Sequence, residues 1–120
     1  MVVGSFLVKN LQIDWRQGEQ WFWDCLVDAD YASNIASWQW VAGTGADAAP
    51  YFRIFNPILQ GDKFDENGDY TLKYVPELKK APLKLLQKPW ESDVKFNYPS
   101  PIIDYKASRE IALQKYQEIR

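Results

Sequence analysis

Histidine is absent from this chain of 120 residues, and cysteine and methionine occur once each. Without histidine there is no Ser-His-Asp or Cys-His machinery, no histidine-bearing zinc site, and no use of the commonest general base near neutral pH. The lone thiol, Cys25, cannot build an intramolecular disulfide framework and suits a reducing, cytoplasmic setting. No run of about 18 apolar residues occurs, so no membrane span is expected. The opening Met1-Val2-Val3-Gly4-Ser5-Phe6-Leu7-Val8-Lys9 lacks the basic leader and long apolar stretch of a secretory signal. Excess positive charge is missing as well: the net charge is −2, so composition alone offers no basic footprint for nucleic acid. No internal repeat is visible.

Aromatic residues are what the chain has in abundance, with 6 Trp, 7 Tyr and 6 Phe. Buried indole needs a hydrogen-bond partner and stacks well on flat ligands, so this supply points to more than packing. Hydrophobic residues make up 47%, enough for the core of one compact domain. Their spacing predicts an all-α fold. Val3, Leu7 and Leu11 mark the inner face of a first short helix. Asp14 is a cap for a second helix, with Gln17 as its capping-box partner and Trp15, Glu19, Phe22 and Leu26 on one face, ending near Asp28. Ser33 or Asn34 caps a third helix carrying Trp38, Trp40 and Val41, stopped at Gly43-Thr44-Gly45.

Residues 46–55 read as a loop around Pro50. Asn56 before Pro57 opens a short helix to about Lys63. Asp69, after the Asn67-Gly68 turn, caps Tyr70 to Tyr74. Prolines then punctuate a coil-rich stretch with helical turns near Leu78 and Leu85-Leu86. The last helix, Asp104 to Arg120, turns Ala112, Tyr116 and Ile119 inward.

Two local patterns are set aside. Gly43-Thr44-Gly45-Ala46-Asp47 lacks the Lys-Ser/Thr of a phosphate loop and follows a helix, so it reads as a helix stop. Asp65-Glu66-Asn67-Gly68-Asp69 has its glycine out of place for a calcium loop, and Pro76 stands where the bidentate glutamate belongs. No metal site is expected. Asp28 and Asp30 on residue type alone are either a paired carboxylate for acid/base work or two solvated residues at a helix end.

Their neighbours change that balance. Asp28-Ala29-Asp30-Tyr31-Ala32-Ser33-Asn34, then Trp38-Gln39-Trp40, then Ala48-Ala49-Pro50-Tyr51-Phe52-Arg53-Ile54-Phe55-Asn56-Pro57, occur together and in order. This set resembles the signature region of the photolyase/cryptochrome family. Asp14-Trp15-Arg16 and Ile58-Leu59-Gln60-Gly61-Asp62-Lys63-Phe64-Asp65 fit the same pattern, so the resemblance covers essentially the whole chain. It is closest to the class I cyclobutane pyrimidine dimer photolyases, or a cryptochrome derived from them. The missing histidine excludes the (6-4) branch, which needs one for repair.

The resemblance implies an all-α, partial FAD-binding domain over residues 1–120, corresponding to the C-terminal part of the parent's helical domain. The antenna domain and the first half of the flavin domain would lie outside it. It implies FAD as the parent's cofactor, with Met1, Asp28, Ala29, Asp30 and Asn34 on the flavin. Asn34 would stand near flavin N5, where an amide can donate or accept a hydrogen bond. Trp38 and Trp15 match the inner members of an electron-transfer chain. Trp40 matches the lesion pocket, and Arg53 and Gln60 match contacts to damaged DNA. One departure is Ile35-Ala36-Ser37, where many relatives carry asparagine and glycine; a larger apolar group crowds the cofactor edge.

For the chain itself the expectations are weak or absent FAD binding, inactivity without the missing half, and self-association as a homodimer that hides an exposed aromatic face containing Trp15, Trp38 and Trp40. The alternatives are a cryptochrome-type light sensor segment and an inert helical relic.

Overall fold

Side-chain caps account for where most of the helices begin. In the computed structural model, which describes residues 1–46 and 53–118, helices α1 (Val2–Ser5), α2 (Trp15–Cys25), α3 (Tyr31–Ala42), α4 (Pro57–Phe64), α5 (Asp69–Tyr74) and α6 (Tyr105–Glu118) follow in order. A π-helical stretch, Phe6–Asn10, continues α1, and short 3-10 turns occupy Pro76–Leu78, Leu83–Leu85 and Pro89–Glu91. Among the described residues there is no strand, as expected for the all-α class.

The Asp14 carboxylate accepts from the Arg16 amide at 2.9 Å and starts α2, while Gln17 stays exposed. Helix α2 ends earlier than expected: Leu26 is already extended, so the chain leaves the helix before Asp28. Helix α3 is capped by Asp30, not by Ser33 or Asn34. Asp30 is extended (φ −116°, ψ 124°) and accepts from the Ser33 amide at 2.8 Å, whereas Ser33 and Asn34 already lie inside the helix. Gly43 ends α3 in the left-handed conformation (φ 81°), as its residue type allows.

Asn56 accepts from Ile58 at 3.0 Å and from Leu59 at 3.3 Å, with Pro57 in the first turn of α4. The α5 cap is a second correction. Asp65, not Asp69, receives the Tyr70 and Thr71 amides at 2.9 and 2.8 Å and the Thr71 hydroxyl at 2.6 Å. Left-handed Gly68 (φ 74°) folds Asp65 back over the helix start, and Asp69 is itself helical.

The chain divides into two compact units, one of residues 1–55 with 103–120 and one of residues 56–102. In the first, Trp38 and Val41 of α3 and Ala112 of α6 are buried. The first helix does not bury Val3, Leu7 and Leu11 as its sequence suggests. It buries Gly4, Ser5, Lys9 and Asn10, and Val3 is 55% exposed. The Leu11 amide reaches back five residues to the Phe6 carbonyl at 2.9 Å, which breaks the 3.6-residue period.

Most of the buried polar groups are tied down in pairs, Asn10 Oδ1 being left without a partner among the described residues. Asn10 Nδ2 donates to Ser108 Oγ at 2.8 Å, and Ser108 Oγ donates to the Tyr105 carbonyl at 2.8 Å. Lys9 Nζ donates to the Arg53 carbonyl, and the Phe55 amide donates to Ser5 Oγ at 3.2 Å. On α6 the expected inner residue Ala112 is buried and Tyr116 half-buried; Ile119 lies outside the described residues.

In the second unit Leu78, Leu86 and Pro89 are buried. Gln87 Nε2 donates to Thr71 Oγ1 at 3.0 Å, extending the Asp65 cap into a small network.

Burial lowers Lys9 from its ordinary 10.5 to about 8. Between those values the unfolded chain binds a proton that the folded chain does not, so folding stability rises with pH across that window. Urea midpoints are expected to climb from pH 8 to pH 10 (inside the window that Lys9 defines), and Lys9→Met should flatten the climb. A native curve that falls over the same range contradicts the burial.

Candidate functional site

Helix α2 turns Gly18, Glu19 and Phe22 toward α3, and Trp15 falls on the same i, i+3, i+4, i+7 stripe. Gly18 matters by what it lacks. A Cβ there would stand 2.3 Å from the six-membered ring of Trp38, so only glycine admits the indole at this depth. Trp38, 3% exposed, meets Phe22 edge-on, with ring centroids 5.0 Å apart and planes at 85°. Trp15 sits one turn before Gly18 on the same face, half-buried, with the Arg16 guanidinium 4.9 Å from its ring.

Asn34 is 7% exposed, and its amide nitrogen donates to both the Glu19 carbonyl at 2.9 Å and the Glu19 carboxylate at 3.0 Å. A carbonyl and a carboxylate can only accept. They therefore fix which end of the amide faces them, and Asn34 has its Oδ1 left for a ligand.

Between these residues lies a cleft of about 540 Å³. Phe22, Leu26 and Trp38 make its apolar walls, and Asp28, Asp30 and Asn34 its polar edge. A second cleft of about 470 Å³ is lined by Trp40, Ala36 and Gly45, and Met1 and Ser37 line both, so the two adjoin. The aspartates are exposed, and the Ser33 hydrogen bond holds the Asp30 carboxyl below its usual value. The first cleft therefore offers flat apolar surface beside anionic and neutral acceptors, which suits a planar ligand rich in N–H and O–H donors.

Of the residues singled out from sequence, Met1, Asp28, Asp30, Asn34 and Trp38 converge on the first cleft and Trp40 lies on the second. Ala29 is half-buried between the aspartates and is not among the lining residues. Arg53 is exposed, and Gln60 lies half-buried on α4 in the other compact unit. Residues 48–52 of the signature lie outside the described residues. Sequence reasoning missed the roles of Gly18 and Glu19. A charged residue on an otherwise inward stripe was the available signal for Glu19, because such a group needs a partner once buried.

Two packed helices that hold a flat cleft between an indole, an amide and a carboxylate pair define a helical cofactor-binding domain. More narrowly, the chain belongs to the family described as the FAD binding domain of DNA photolyase, whose model matches residues 1–118. It is 55% identical to a deoxyribodipyrimidine photo-lyase of Agrobacterium fabrum over all of this chain and 27% of that protein. With the corresponding protein of Escherichia coli it shares 48% identity, over 26% of that protein. The chain thus spans about a quarter of the length of these curated relatives.

Among solved structures, it matches a bacterial class III photolyase from Agrobacterium tumefaciens with a TM-score of 0.90 and 55% identity, over 98% of this chain and 27% of that one. A Synechocystis cryptochrome matches with a TM-score of 0.87 and 37% identity, over 94% of this chain and 25% of that one.

Gly18→Ala should drive a methyl group into the Trp38 ring and cost about 1–3 kcal/mol of stability. Denaturant unfolding followed by tryptophan fluorescence measures this. A neutral substitution would mean that α2 and α3 separate freely.

Proposed function

We propose that this chain supplies one wall of the FAD site of a light-driven DNA repair lyase acting on cyclobutane pyrimidine dimers. It would be a partial FAD-binding domain, inactive without the remainder. The observation that carries the proposal is the convergence of Asp28, Asp30, Asn34 and Trp38 on one cleft. Bound there, FAD would supply one-electron chemistry.

The roles of the chain's own residues follow from their chemistry. Asp28 and Asp30 accept hydrogen bonds from the cofactor's N–H and O–H groups. Asn34, oriented by Glu19, presents its carbonyl to a cofactor N–H. Trp38, packed on Phe22 and screened from water, is an oxidisable group at the cleft, and Trp15 is the next one outward. Trp40 offers a face on which an extruded base can stack, and Arg53 and Gln60 contact the DNA backbone. A cytoplasmic setting is in keeping with the exposed free thiol of Cys25. Among the described residues no helix is long and apolar enough to cross a membrane.

The chain alone should hold FAD weakly, because each absent phosphate or ribityl contact removes about 1–3 kcal/mol. Titrating FAD into the purified chain, with and without the upstream remainder of a photolyase, tests this through flavin fluorescence. The affinity is expected to tighten tenfold or more, about 1.4 kcal/mol, when the remainder is added. Tight binding by the chain alone, or no response to the remainder, defeats the proposal.

A second reading concerns assembly. The aromatic face expected from sequence is not the exposed one: Trp38 is buried over Gly18, and Trp15 and Trp40 are half-buried. Trp21, Trp23, Leu26, Val27 and Tyr31 are the exposed group, a cluster around the end of α2. Apolar patches of this kind find partners, so the chain should form a two-fold homodimer when the remainder is absent. Sedimentation at tens of micromolar is expected to give a dimer, and a monomer throughout rules it out.

A further inference from the structure

We propose that Lys9 is a positioning residue for Arg53, fastening the main chain there so that the guanidinium is held ready for a nucleic-acid phosphate. The inference rests on the reading of Arg53 as a DNA contact. Lys9 is 6% exposed, and its Nζ donates to the Arg53 carbonyl across 44 positions of sequence. Ser5, one helical turn earlier, receives the Phe55 amide at 3.2 Å. One edge of the first helix therefore grips residues 53 and 55, while Arg53 itself stays exposed.

A lysine is an expensive way to fill a core, since methionine packs as well without a charge to desolvate. What methionine lacks is a donor for a main-chain carbonyl. Fixing the backbone of a contact residue before the ligand arrives reduces the ordering that binding must accomplish. Arginine gains most from this, because its planar fork is effective on phosphate only when correctly aimed.

The test measures affinity of the whole chain for a fluorescent oligonucleotide carrying one thymine dimer, in Lys9→Met, Arg53→Gln and the double variant. If Lys9 acts through Arg53, each single variant weakens binding several-fold, and the double variant is no weaker than Arg53→Gln alone. Each single variant should also lower the salt slope by about one, the loss of one phosphate contact. Hydrogen exchange at the Phe55 amide should quicken in Lys9→Met. If that variant does not fold, Ser5→Ala carries the same cycle.

Additive losses, or unchanged binding in Lys9→Met where Arg53→Gln weakens it, overturn the positioning role alone. Unchanged binding in Arg53→Gln, or no binding by the native chain, overturns the reading of Arg53 and the positioning role together.

Discussion

The α2–α3 contact is the constraint from which the site follows. Trp38 can reach its depth only because Gly18 has no side chain, and Phe22 closes on the edge of the same indole. That packing brings the first turn of α3 against α2, where Glu19 takes both donor hydrogens of Asn34. One glycine and one carboxylate thus set the position of a buried ring and the orientation of a buried amide. The cleft is the space left over beside them.

Polar burial elsewhere in the same unit serves a related purpose. The first helix turns Ser5, Lys9 and Asn10 inward, each with a named partner, where an apolar stripe would have been the simpler solution. Buried hydrogen bonds are directional and apolar contacts are not, so this arrangement holds particular main-chain atoms at particular places. The same unit carries both clefts, and Met1 and Ser37 line each of them. A cofactor in one and a base in the other would be neighbours.

Family membership and length pull in different directions. The match to the FAD binding domain of DNA photolyase spans residues 1–118, yet the chain covers only about a quarter of the relatives it matches. A flavin site built from a whole helical domain would here be represented by one wall. Trp21, Trp23 and Tyr31 at the end of α2 are exposed in the same unit, a density of large apolar groups that favours association.

Local chemistry was legible without coordinates: the all-α class, the stop at Gly43, the starts at Asp14 and Asn56, and the family, from the order of its motifs. These depend on neighbours within a few positions or on a motif whose order is written in the chain. The caps misassigned to Ser33 or Asn34 and to Asp69 failed because several adjacent polar residues were competent, and only backbone dihedrals chose among them. The inner face of the first helix failed because a π-helical turn shifts the period, which no composition signals. Gly18 under Trp38, Glu19 on Asn34 and Lys9 on Arg53 join residues far apart in the chain. What the sequence determined by itself was which residues could serve; which of them meet was decided by the packing of α2 on α3 and of the first helix on residues 53–55, since contact between distant residues is a property of the closed tertiary structure.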